Sequence, residues 1–226
     1  MADTAWSSEE PIAPKKTSIP TWVWFCGGGC LLAVLVAIVG VALAIPMIAK
    51  ARDPKVQWER LAHILPYDEQ PPELTPKMGF GFSLGASMEQ VQLEDSRGFM
   101  ITIQSQTGPK AAEGRRKMFA SDKPEFPKDV GVMQFEDVQS ASVEVQGRSL
   151  SALRMHMAFP SWMKTVMGKK AGEEMGKFGS MAFVDVTPEG REGMVLLEMM
   201  KVSGPEPVSD DEIRTFLKPF RIGPKR

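Results

Sequence analysis

Residues 78–106 read MGFGFSLGASMEQVQLEDSRGFMITIQSQ, and their period decides the fold. Phe80, Phe82 and Leu84 alternate with small residues, Val91 and Leu93 follow in step, and Phe99, Ile101 and Ile103 alternate with Met100, Thr102 and Gln104. Strict alternation over runs this short belongs to half-buried strands, because successive side chains of a strand point to opposite faces. Gly85-Ala86-Ser87 and Asp95-Ser96-Arg97-Gly98 supply residues that accept turn dihedrals, so the stretch predicts three antiparallel strands.

Downstream, Lys110 to Ala120 reads as a helix with Met118 and Phe119 inward, and Ser121 to Lys128 as a charged surface loop with two prolines. Strands are expected at Val132 to Phe135, Ala141 to Val145 and Leu150 to Phe159, with a hairpin turn at Gln146-Gly147-Arg148. Two more are expected at Ala182 to Val186 and Met194 to Val202, joined through Thr187-Pro188-Glu189-Gly190. Ser209-Asp210-Asp211-Glu212 is a Ser-x-x-Glu capping box opening an amphipathic helix whose apolar stripe is Ile213, Phe216, Leu217 and Phe220.

Upstream, PYDEQPPELTP (66–76) holds four prolines and reads as a linker, and residues 55–65 read as a short stalk helix. Before them, residues 22–45, WVWFCGGGCLLAVLVAIVGVALAI, carry no charge. As a helix the run reaches about 36 Å, enough for a hydrocarbon core of about 30 Å, with Trp22 and Trp24 at one interface and Lys50 and Arg52 beyond the other. A cleavable signal peptide is the rival reading, given Ala42-x-Ala44. The length of the run and the acidic tail with Asp3, Glu9 and Glu10 favour an uncleaved anchor. Gly29, Ala33, Ala37, Gly40 and Ala44 line one face of such a helix, the candidate contact for a homodimer or a partner helix. Cys26 and Cys30 fit small buried residues of the span, since CxxxC has neither zinc nor redox spacing. A single N-terminal anchor most often serves to export the domain attached to it, so the soluble domain is expected to be extracytoplasmic, although Lys50, Arg52, Lys55 and Arg60 outnumber Lys15 and Lys16.

The fold class expected is therefore α+β: a single transmembrane helix followed by one domain with a mainly antiparallel sheet and helices packed on it. Its parts are a disordered tail (1–20), the transmembrane helix (21–49), a juxtamembrane stalk and Pro-rich linker (50–76) and the soluble domain (77–226). Beyond residue 55 there are 22 Lys plus Arg against 24 Asp plus Glu, so no basic field exists to hold a nucleic acid. Both cysteines lie in the apolar run, which excludes a disulfide framework and thiol chemistry from the domain. With His63 and His156 the only histidines, no zinc site is expected, nor any other metal or cofactor.

The strand meander GFGFSLGASMEQVQLEDSRGFMITIQSQ, a helix, further antiparallel strands and the closing helix SDDEIRTFLKPFRI resemble the Mog1/PsbP-like α/β/α sandwich of exported or anchored bacterial proteins. The likeness covers roughly residues 66–222, rests on element order and carries no site residues over. Such domains serve as accessory or binding modules, so the resemblance implies that kind of role and no particular chemistry.

Motifs with chemical content are few. Ala171 to Lys177 nearly completes a phosphate-binding loop, but Phe178 stands where a magnesium-holding hydroxyl is needed; Gly79-Phe80-Gly81 begins a GxGxxG that Leu84 breaks. Arg154, His156 and Asp185 are the one set able to supply a clamp, a base and an acid if they share a sheet face, against the plainer reading of alternating polar residues on a half-exposed strand. Asp210, Asp211 and Glu212 read as helix capping rather than calcium ligands. Ser161 to Gly179 sets Met163, Met167, Ala171 and Met175 beside Gly168, Gly172 and Gly176 at a spacing of four. Close packing of a methionine-rich helix competes with a flap in which Trp162, Met163, Met167 and Met175 meet a membrane or partner. The functional expectation is a membrane-anchored, non-catalytic binding or accessory module held by the lipid bilayer through residues 22–45. The alternatives are an anchored enzyme with its site near Arg154 and His156, and a self-associating membrane scaffold.

Overall fold

A computed structural model describes residues 42, 46, 48–83, 87–120, 129–130, 133–158, 177–201 and 206–222. The chain divides into two compact units, Met1–Met47 and Ile48–Arg226, and the strands and helices named below belong to the second. Among the described residues no helix is long and apolar enough to cross a membrane. The run 22–45 with its small-residue stripe lies outside them except for Ala42.

One antiparallel sheet forms the domain. Its strands are β1 (Leu74–Ser83), β2 (Ser87–Asp95), β3 (Phe99–Thr107), β4 (Asp129–Val130), β5 (Met133–Val145), β6 (Arg148–Ala158), β7 (Lys177–Asp185) and β8 (Gly193–Lys201), in the order β1-β2-β3-β8-β7-β6-β5-β4. Two meanders thus meet at β3 and β8, where Ile101 lies opposite Met199 and Ile103 opposite Leu197. The helices are α1 (Pro54–Ile64), α2 (Pro109–Met118) and α3 (Asp210–Leu217).

Parity along the strands separates two faces. On one, α1 and α3 cover Val91, Leu93, Ile101, Ile103, Leu150, Ala152, Ala182, Val184, Val195 and Leu197, all fully buried or nearly so. On the other lies a smaller cluster of Phe135, Leu153, Met155, Met157, Met181, Phe183, Met194 and Leu196, against which Ala111 and Met118 of α2 and the following Phe119 pack. The α3 terminus is held as its sequence requires: Ser209 accepts from the Glu212 backbone N–H, and the Glu212 carboxylate accepts from the Ser209 backbone N–H at 2.7 Å. Burial works against the Glu212 charge, yet the Ser209 bonds and Lys201 outweigh it and hold the carboxyl below its ordinary range.

Several elements differ from their sequence expectation. The helix read as a stalk is a core element, with Leu61, Ile64 and the following Leu65 buried on the sheet. The Pro-rich stretch ends inside β1, whose register shifts between Pro76 and Met78: an edge strand tolerates a proline, and among the described residues β1 pairs on one side alone, with β2. The two strands expected at 132–135 and 141–145 are one, β5, bent where Asp137 takes φ 54° and the register with β6 shifts. Residues 177–179, read with the glycine-methionine segment, belong to β7. The rest of that segment, with Trp162, Met163, Met167 and Met175, lies outside the described residues, as does the 121–128 loop.

The first glycine of the repeat Gly79-Phe80-Gly81-Phe82 has a structural cause. Gly79 faces α1, and a methyl group there would stand 2.0 Å from Gln57 Oε1 and 2.6 Å from the Gln90 carbonyl oxygen. Only hydrogen fits. By parity Met78, Phe80 and Phe82 turn to the opposite face, where they remain 40%, 41% and 51% exposed.

Candidate functional site: a groove and an open strand

The three residues that sequence reasoning grouped do not meet. Arg154 and His156 lie on the face of α3, whereas Asp185 lies on the face of α2, because Arg154 stands opposite Ala182 and three residues along a strand reverse the side. Each is engaged locally. Arg154 pairs with Asp210 at the start of α3, His156 Nδ1 lies 3.3 Å from Asp137 Oδ2, and Asp185 accepts from Arg115 Nε at 2.6 Å and from the Thr187 backbone N–H. An acid and a base on opposite faces of a sheet cannot act on one substrate atom.

Among the described residues, no group of three or more His, Cys, Asp and Glu side chains could hold a metal ion. One concave feature among the described residues is a groove of about 590 Å³ between the segment leading into β1, the β2–β3 turn and α3. Its apolar lining comes from Pro71, Pro72, Leu74, Phe216 and Pro219; Glu69 and Glu73 stand on one side, and Arg97 and Lys218 supply cations. The volume lies within the range of small-ligand clefts.

One wall of this groove is a closed ion pair. Asp95, 2% exposed, accepts from the Arg97 backbone N–H at 2.7 Å and from Arg97 Nε and Nη2 at 2.9 and 2.5 Å. Burial raises the cost of the Asp95 charge, but the bonds from the Arg97 side chain and backbone hold the carboxyl below its ordinary range. Arg97 also lies over the Phe99 ring, 5.7 Å from its centroid. The turn Asp95-Ser96-Arg97-Gly98 is legible in the sequence as a turn. Its role as a groove wall is not, since the opposing wall comes from residues more than a hundred positions away.

A second feature is the open edge strand. Beyond α2 the methionine-rich face continues over β3, β2 and β1, where Met100 is 49% exposed in addition to Met78, Phe80 and Phe82. Polar Thr102 and Gln104 share this face with Glu198 of β8, whose carboxyl burial pushes above its ordinary range. Comparison with protein-family models, with curated proteins and with solved structures gives no match.

Proposed function

We propose that the protein is a membrane-anchored, non-catalytic binding or accessory module, with residues 22–45 as the anchor and the 590 Å³ groove as the ligand site. The groove carries the reading: it is concave, apolar along its floor and charged at its rim, and its one buried carboxylate is consumed by Arg97. That chemistry holds a ligand with an apolar body and polar ends. It offers no nucleophile backed by a base. Pro71, Pro72 and Pro219 restrict the walls before binding, which lowers the ordering cost of association. The resemblance to Mog1/PsbP-like modules and the helices on both faces of one antiparallel sheet are compatible with this role.

The test is site-directed photocrosslinking in native membranes. A photoreactive residue at Thr215 or Lys218 should give a discrete adduct that the same residue at Glu189, on the β7–β8 turn, does not. Equal adduct patterns at the three positions would remove the groove from consideration. A His156→Gln variant that abolishes the protein's cellular effect while leaving the adduct and the fold intact would return the anchored-enzyme reading.

A further inference from the structure

The two edges of the sheet are finished differently. On one side the outermost strand, β4, is two residues long; past its end β5 carries Glu136, Asp137 and Glu144, bends at the Asp137 bulge and gives its Glu144 carbonyl to Arg214 of α3. Short strands, charges, bulges and covering side chains are the means by which sheets keep their edges from pairing with another chain. At the other edge, β1 has its proline and its one charge, Pro76 and Lys77, among its first four residues, and the Lys77 ammonium is already paired with Glu94 of β2. From Met78 to Ser83 it has neither, and among the described residues it pairs with β2 alone.

The exposed Met78, Phe80 and Phe82 are a feature of this edge and not a fringe of the core. Register places Met78 beside Gln92 and then Thr102, and Phe80 beside Gln90 and then Gln104, so a polar strip on β2 and β3 separates them from the methionine cluster under α2. A strand added beyond β1 would lie directly against them. The sequence of β1 is also complementary to itself. Run antiparallel about a two-fold axis at Phe80, two copies set Phe80 opposite Phe80, Met78 opposite Phe82, Gly79 opposite Gly81 and Lys77 opposite Ser83. The large apolar side chains then meet on one face, with no like charges opposed, and the glycines meet on the α1 side. A register displaced by one residue would set each phenylalanine opposite a glycine and put the two apolar rows on opposite faces.

We infer that β1 is a dimer edge, through which two copies of the chain join their sheets by an antiparallel β1–β1 pairing centred on Phe80. Such a contact uses the same patch on both copies and closes on itself, so it ends at two. The backbone groups of β1 that point away from β2 gain partners along the seam, and Met78, Phe80 and Phe82 of both copies form one apolar ridge across it. The inference rests on the Ile48–Arg226 unit alone and holds whether or not residues 22–45 sit in a bilayer.

Disulfide trapping in the full chain, with Cys26→Ser and Cys30→Ser removing the native thiols, tests both the contact and its register. A disulfide needs Cβ atoms about 3.5–4.5 Å apart, whereas four residue steps along a strand span about 14 Å. Phe80→Cys should therefore give a cross-linked dimer under mild oxidation. Met78→Cys and Phe82→Cys should each resist cross-linking alone and cross-link when mixed, and Glu189→Cys on the β7–β8 turn should not cross-link. A companion Phe80→Lys variant, which sets two ammonium groups against each other, should raise the dimer dissociation constant about fivefold or more with the circular dichroism unchanged. Equal trapping at 78, 80, 82 and 189 would mean random collision, and trapping at none of them would mean that the edge is free or covered by another segment or another protein; either result overturns the dimer edge. So would a dissociation constant that Phe80→Lys leaves unchanged, because self-association would then lie elsewhere in the chain.

Discussion

The two faces of the sheet are built from different materials. Under α1 and α3 the described core cluster holds 25 buried residues, of which Met199 is the one methionine; under α2 four of the eight, Met155, Met157, Met181 and Met194, are methionines. Branched side chains have few rotamers and lock a unique packing, whereas an unbranched thioether adapts to irregular neighbours. The first face is closed by two helices. The second grades from buried methionine through Glu198 to exposed Met78, Phe80 and Phe82, so stability and adaptability are divided between the sides of one sheet.

The sharpest way to break this contrast is to substitute core positions on the two faces. Leu197→Ala on the aliphatic face should cost about 2–5 kcal/mol in urea denaturation, through lost transfer energy and a residual cavity. On the other face, Met155→Leu and Met157→Leu should each cost less than about 1.5 kcal/mol, since volume is conserved. A Leu197→Met swap that costs no more than these two would mean that the methionine face is as tightly specified as the aliphatic one.

Next in size is Arg97→Ala. It leaves the Asp95 carboxylate buried with only the backbone donor at 97, and should destabilise the protein by about 1–3 kcal/mol at neutral pH, since the Arg97 side chain is itself partly open to solvent. The folded Asp95 carboxyl titrates below its unfolded value, so its contribution is present above the unfolded value and is lost as pH falls through the folded one. In the variant that acid-side loss should be smaller, which a series of melts across the acid range would read. An unchanged acid limb would show that Asp95 is held by something other than Arg97.

Glu198 gives the opposite sign. Its folded carboxyl is raised by burial, so the native state binds more protons than the unfolded one and stability falls as pH rises from the unfolded value through the folded one. Glu198→Gln should therefore stabilise the domain by on the order of 1 kcal/mol at pH 7, with the gain disappearing below the ordinary carboxylate range. A loss of stability would reveal a partner that Glu198 needs in its charged form.

The smallest expected change is also informative. Phe80→Ser and Phe82→Ser remove half-exposed side chains and should alter stability by less than about 0.5 kcal/mol. A larger penalty would place both rings in the core and take them away from any docking role.

By itself the sequence determined what is local. Alternation at 80–82, 91–93 and 99–103 is the period of a strand, Gln146-Gly147 is a tight turn with φ of 52° and 78°, and Ser209 to Glu212 closes the capping box it spells. Only the tertiary structure decided what depends on distant pairing. No period says that β3 lies beside β8, nor that a helix after an apolar run buries Leu61 instead of forming a stalk. Parity across strands is a long-range quantity too: it put Asp185 on the other side of the sheet from Arg154, and Phe80 on the other side from α1. A side chain's face is set by register, register by turns and bulges such as the one at Asp137, and their sum emerges only when the whole sheet is assembled.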